Sequence, residues 1–223
     1  VYKRQVFSSA HMSEDDAQRT LLDNVDGKLI TDPRTIRFKT GRRLKQWHKN
    51  CVAIGLSSGF LEPLESTSIH LIQNSVIRLV KLFPGAGIEP SEVDQFNWEV
   101  KQEIEYIRDF IIAHYHVTQR NDTEYWNECR EMDIPESLAH KLELFGKGGK
   151  IFRDNNELFS EPSWIAVLVG QGLVPSAYHP VVDNLDEKEL LELMRNVKAG
   201  ISRLVGQQPS HEFFLRNYCE ASA

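Results

Sequence analysis

The stretch Gly55–Gln73, GLSSGFLEPLESTSIHLIQ, constrains this chain more than any other. The apolar run Cys51–Gly55 (CVAIG) leads into it, a Gly/Ser-rich crossing follows, and a helix opens at Ser66-Thr67-Ser68. The apolar positions Ile69, Ile72, Val76, Leu79, Val80 and Phe83 follow helical spacing. CVAIG lacks alternation, so it reads as an interior strand of an α/β sheet, covered on both faces. Ligands of open α/β sheets sit beyond the carboxyl ends of strands, where this crossing lies. The first turn of a helix leaves backbone N–H groups unpaired at its positive end, which suits an anion. A carboxylate at Glu65 would repel that anion, and so points to a proton or a cation to be handled. On spacing alone the simpler reading is that Glu65 and Ser66 cap the helix and favour its dipole.

The rest of the chain is mostly helical in pattern. Ser13-Glu14-Asp15-Asp16 is a capping signal for a helix running toward Val25. Arg34–Lys39 alternates Ile36 and Phe38 with basic residues, as a half-buried strand does. A long helix is expected from a cap at Ser91, with the stripe Val93, Phe96, Val100, Ile104, Ile107 and Ile111. Shorter helices are expected near Thr123–Met132, Pro135–Phe145, Pro162–Gly170 and Leu185–Val205, with a last turn at Ser210–Tyr218. The fold class is therefore a mainly helical α+β or α/β fragment with few strands, whose missing sheet neighbours belong to an absent N-terminal half.

Composition narrows the function classes. With 41% hydrophobic and 26% charged residues, the 223-residue chain is long enough for a real core, and disorder and disulfide scaffolds are excluded. No apolar run approaches the roughly 18 residues that span a bilayer. Three cysteines, Cys51, Cys129 and Cys219, are odd in number and far apart, which suits a reducing, cytoplasmic compartment and argues against structural zinc. His114 and His116 fall on different helix faces, so no metal site is expected. Residues 1–50 hold 11 Lys/Arg against 6 Asp/Glu, yet the net charge of −6 argues against a nucleic-acid partner. Val1–Gln5 (VYKRQ) matches one reading frame of a common sequencing-library transposon end, and is expected to be a non-native leader.

The central stretch, together with VFSS (Val6–Ser9), PRTIRFKTGRR, NCVAIG (Asn50–Gly55), RDFIIAHY (Arg108–Tyr115) and GQGLVP (Gly170–Pro175), closely resembles the C-terminal half of flavin-dependent (tryptophan-type) halogenases. The resemblance implies an FAD-dependent monooxygenase-like fold. Residues 6–83 would complete the FAD-binding domain with its halide-site helix, and 84–223 would form a helical substrate-side domain. It further implies that Gly55, Leu56 and Ile69 contact FAD, and that Thr67 and Ser68 hold chloride or bromide on their amides. Ser66 would lie between the flavin and substrate sites. Glu65 would face the substrate, stabilising a cationic ring intermediate or taking its proton. The partners implied are a transient flavin reductase that supplies reduced FAD and a small, electron-rich, indole- or tryptophan-like aromatic; no membrane is implied, and self-association as a homodimer is compatible.

Three family elements do not occur in the chain: the GxGxxG fingerprint, the tunnel lysine and the WxWxIP motif. The isolated chain is therefore expected to be inactive. Tryptophan-specific members commonly carry Gly where this chain has Ser68, and their paired tyrosines for gripping the amino acid are not matched. Trp164, Phe213, Phe214 and Asn217 are the remaining candidates for a substrate wall. His70 reads as a satisfied core histidine. Two other classes stay open: a related flavin-dependent aromatic hydroxylase and a non-enzymatic helical interaction module.

Overall fold

The computed structural model describes residues 4–154 and 157–219, and only part of the expected leader lies within them. The chain divides into two compact units, Val1–Ala177 and Tyr178–Ala223. The boundary expected at residues 83/84 falls inside the first unit.

The first unit is organised around α3 (Pro90–His116). Its cap is Glu89 rather than Ser91, with Pro90 at the first helical position and a reciprocal capping box between Glu89 and Glu92. The fixed φ of proline suits that first position and moves Ser91 inside the first turn. Two cores form along this helix. Toward its start, Phe96, Val100 and Ile104 pack with Trp47, with Leu71 and Leu79 of α2 (Ser68–Lys81) and with Leu82 just after it. Toward its end, Phe110 and Ala113 pack with Leu138 and Phe145 of α5 (Glu136–Gly148) and with Trp164 and Leu168 of α6 (Glu161–Gly170). The remaining helices of this unit are α1 (Glu14–Asp23), capped by Ser13 as expected, and α4 (Glu124–Glu131).

The strands depart from expectation. Arg34–Lys39 forms no strand, and Ile36 and Phe38 are exposed. The alternation there has no ladder to join; instead the Phe38 ring meets Phe60 edge-on at 5.0 Å. Cys51–Gly55 is not a buried interior strand either. Only Cys51–Val52 (β3) is extended, pairing antiparallel with Trp47–His48 (β2) across a turn in which Lys49 has φ 55°. A local hairpin thus supplies the partner that the apolar run had seemed to need from a parallel sheet. Asn97 of α3 clamps this hairpin: its Oδ1 accepts from the amides of Gln46 and Trp47 at 2.7 and 2.9 Å, and its Nδ2 donates to the Trp47 carbonyl at 2.9 Å. The other ladder pairs β1 (Gly41–Arg42) with β4 (Gly59–Phe60), in register Gly41↔Phe60. A Cβ at Gly59 would lie 2.6 Å from the Gly41 carbonyl oxygen, so this close pairing requires glycine.

In the second unit, α7 (Glu187–Gln207) is capped by Asp186, whose carboxylate accepts from the Glu189 amide at 2.8 Å. A short α8 (His211–Phe214) follows, continued by one wide turn over Leu215–Cys219. Among the described residues, no helix is long and apolar enough to cross a membrane.

Candidate functional site

The crossing between β3 and α2 is two 3-10 turns, Gly55–Ser57 and Pro63–Glu65, joined by β4. Gly55 has φ +67°, a left-handed conformation that glycine adopts without strain, and the Ser58 hydroxyl closes the turn onto the Gly55 carbonyl at 2.7 Å. The second turn ends in a residue that is not glycine. Ser66 sits in the left-handed region (φ 53°, ψ 38°), while Thr67 returns to right-handed helical values (φ −79°, ψ −6°). A left-handed residue followed by a right-handed one forms a nest, whose successive amides point into one concavity. The Ser66 amide donates to the Pro63 carbonyl at 3.1 Å, whereas the amides of Thr67 and Ser68 find no acceptor among the described residues. Helix α2 begins at Ser68, so Ser68 has the helical backbone that keeps its amide at the helix end.

Thr67 is buried, whereas Ser68 is exposed and lines a cavity of about 50 Å³ with Gly55, Leu56, Gly59 and Ile72. The Gln46 side-chain amide faces the same cavity, and neither its Nε2 nor its Oε1 has a partner. Leu56 and Ile69 flank this region with their side chains 78% exposed, leaving an apolar ledge beside the unpaired amides.

The acidic members of the crossing are held from α3. Glu65 Oε1 lies 3.0 Å from His114 Nε2, and the neighbouring Tyr115 donates its hydroxyl to Glu62. His114 is fixed in turn by Nδ1, which lies 2.8 Å from the Phe110 carbonyl oxygen, and Gln171 donates to the His114 carbonyl at 3.2 Å. Tyr115 stacks on Trp126, and its phenol is pushed well above the usual tyrosine range by burial and by its bond to Glu62. Burial and the neighbouring Cys129 raise Tyr125 as well.

One helical turn into α2, His70 is one-third exposed rather than part of the core, and it is satisfied: its Nε2 lies 3.1 Å from Oε1 of the buried Glu103. Asn74 also donates to Glu103, and Arg78 bridges Glu103 Oε2 at 3.1 Å and Glu99 Oε2 at 2.7 Å. Burial pushes the Glu99 carboxyl up, but hydrogen bonds from Gln95 and Arg78 outweigh it and hold it below the usual range.

The structure thus sets Gly55, Leu56 and Ser68 on the rim of one cavity, with Glu65, Ser66, Thr67 and Ile69 next to Ser68 along the chain. It does not add Trp164 to that rim. Trp164 is 1% exposed, with its indole N–H donating to Glu157 at 3.3 Å and its ring edge-on to Phe110, so it packs in the core, and it borders a separate cavity of about 310 Å³ with Tyr106, Lys141 and Glu157. Phe213, Phe214 and Asn217 lie in the second unit; both phenylalanines are exposed, and the Asn217 amide is spent on the Phe213 carbonyl. His114 was missed as a site residue. Its only signal was position, in the last turn of the long helix within RDFIIAHY. His116, two residues on, has its Nδ1 buried and unpartnered.

Against known proteins, a family model described as tryptophan halogenase matches residues 3–187. The tryptophan 7-halogenase RebH of Lentzea aerocolonigenes is 31% identical over 229 residues, covering 95% of this chain and 43% of that protein. Among solved structures, the flavin-dependent halogenase Xcc4156 from Xanthomonas campestris superposes with a TM-score of 0.93 at 45% identity, covering 97% of this chain and 44% of that one. The flavin-dependent halogenase BrvH from Brevundimonas sp. BAL3 gives 0.89 at 46% identity, covering 94% and 43%. The fold is that of part of a flavin-dependent halogenase. The chain belongs to the tryptophan halogenase family, and it spans about 43% of the length of the curated relatives it matches.

Proposed function

We propose that this chain is the halide-side portion of an FAD-dependent halogenase that acts on an electron-rich, indole- or tryptophan-like aromatic. The observation that carries the reading is the pair of unpaired amides at Thr67 and Ser68, presented by left-handed Ser66 beside an exposed apolar ledge. The residues suit both ligands. Two amides at a positive helix end fit a small halide such as chloride or bromide. Leu56 and Ile69, with Gly55 offering no side chain between them and the cavity, fit the flat apolar face of a flavin.

When bound, reduced FAD supplies, with oxygen, the oxidation of the halide. This chain's residues do the rest. Thr67 and Ser68 hold the anion, and Leu56 and Ile69 exclude water from the flavin edge. Glu65 presents a carboxylate where positive charge develops on the ring and accepts the proton that the ring loses. A separate flavin reductase in the cytoplasm would deliver the reduced cofactor.

The test is an assay of the complete protein with a flavin reductase, bromide and indole. A product heavier by bromine is the expected result. A product heavier by oxygen would make it a hydroxylase, and no product at all would favour an interaction module. The 223-residue chain by itself is expected neither to bind FAD tightly nor to halogenate, and stoichiometric tight binding in a flavin fluorescence titration would overturn that.

A further inference from the structure

The Glu65–His114 contact can be read by hydrogen-bond accounting. A carbonyl oxygen only accepts, so the 2.8 Å approach of His114 Nδ1 to the Phe110 carbonyl puts a hydrogen on Nδ1. A neutral imidazole with its hydrogen there turns a lone pair at Nε2 toward Glu65. Nε2 nevertheless sits 3.0 Å from Oε1, a separation that two facing lone pairs do not hold. One further proton between Nε2 and Oε1 would make that contact a hydrogen bond. His114 lies in the last turn of α3. The ring is held on its other sides, packed edge-on against Phe110 at 4.8 Å, with its own carbonyl accepting from Gln171.

We propose that His114 is a positioning residue that grips Glu65 through this shared proton, committing Oε1 and leaving Oε2 as the oxygen that receives the substrate's proton. The inference rests on the halogenase reading for the substrate step, though the shared proton stands without it. In that step the C–H bond at the halogenated carbon breaks and its electron pair restores the aromatic ring, while the proton passes to Oε2. The proton between Oε1 and Nε2 stays in place. The acquired proton then leaves to water from Glu65, whose side chain is 30% exposed. The pair thus alternates between one proton and two, and the carboxylate never has to be re-aimed between turnovers.

Two measurements test this, one of which needs no activity. Long-range nitrogen–proton correlation spectra of the 223-residue chain should show hydrogen on His114 Nδ1, and Glu65→Gln should leave that hydrogen in place while the Nε2 resonance moves to that of a lone pair. A bare Nδ1 overturns the proposal. In the complete protein, His114→Phe should lower kcat about a hundredfold with KM unchanged, the cost of a mis-aimed group. His114→Gln, whose amide can still donate to Oε1, should regain about tenfold of that loss. Full kcat in His114→Phe, or an equal loss in both variants accompanied by a raised KM, overturns the positioning role. If the wild type brominates nothing, the halogenase reading falls, and the nitrogen spectrum alone decides the pair.

Discussion

Two histidine–glutamate contacts join the α2 region to α3, and they are nearly mirror images. In one, His70 of α2 meets Glu103 of α3 at 3.1 Å; in the other, His114 of α3 meets Glu65, just before α2, at 3.0 Å. Their surroundings differ. Glu103 is 3% exposed and fully engaged, with Asn74 and His70 on one oxygen and Arg78 on the other. Glu65 has His114 on one oxygen, no partner on the other among the described residues, and sits beside unpaired amides. A carboxylate saturated with donors in the interior fastens two helices and can do little else. A carboxylate held by one corner at a rim is aimed, and its other oxygen is free for chemistry.

Removing the charge from each should therefore produce unlike failures. The largest effect is expected from Glu65→Gln in the complete protein: turnover should fall about 10²- to 10⁴-fold, the range for loss of a general base. FAD binding and thermal stability should hardly change. Unchanged bromination of indole would remove Glu65 from the reaction and make the two pairs equivalent. The converse variant, Glu103→Gln, leaves Arg78 facing a neutral amide in the interior. Urea unfolding of the chain should show a loss of about 3 kcal/mol or more, in the range for breaking a buried ion pair. A stability equal to wild type would mean that Glu99 alone satisfies Arg78.

Legibility in the sequence followed the same division. The helices were readable because their signals are local: Ser13 caps α1 through its hydroxyl to the Asp16 amide, and the stripe Phe96, Val100, Ile104, Ile107 became the buried face of α3. The helix opening at Ser66–Ser68 was readable for the same reason, and α2 does begin at Ser68. Strands failed because an apolar run reports burial, not what supplies it. Only Cys51–Val52 of CVAIG is extended, in a hairpin that Asn97 clamps through Gln46 and Trp47, which no periodicity announces. The grip of His114 on Glu65 and of Tyr115 on Glu62 was invisible too, since it joins a turn to the far end of a helix. The packing of Trp164 was not legible either, because an aromatic in a helix looks the same in sequence whether it faces a ligand or Phe110.

A smaller effect tests how much the hairpin clamp contributes beside these pairs. Asn97→Ala would leave the buried amides of Gln46 and Trp47 without an acceptor, at about 1–3 kcal/mol for each stranded group. Denaturant unfolding should show a loss of about 2 kcal/mol, the low end for two such groups, because water can enter the space the truncation leaves. A change no larger than that of a surface substitution would mean that the Trp47 ring alone, packed at 5.6 Å from Phe96, fastens the hairpin.

The smallest expected effect separates the two neighbours at the end of α3. Tyr115 donates to Glu62 while His114 grips Glu65, so the crossing is tied down at adjacent residues. Tyr115→Phe removes the hydroxyl and keeps the ring stacked on Trp126 at 6.0 Å, so about 1 kcal/mol of stability should be lost at neutral pH. The pH dependence carries more information. Burial and Glu62 raise the folded-state pKa of Tyr115 above that of the unfolded chain. Its contribution is then fully present below the ordinary tyrosine value of about 10, and it drains away as the pH rises beyond that value. Above that value folding must draw a proton from solution to keep the phenol neutral, so the wild type should lose stability on the alkaline side more steeply than Tyr115→Phe. Phenolate absorbance during a pH titration should show one slow, late tyrosine missing from the variant. Superimposable alkaline limbs would place the tie between the crossing and α3 on His114 alone, and would sharpen the contrast between a helix end that aims Glu65 and a helix middle that buries Glu103.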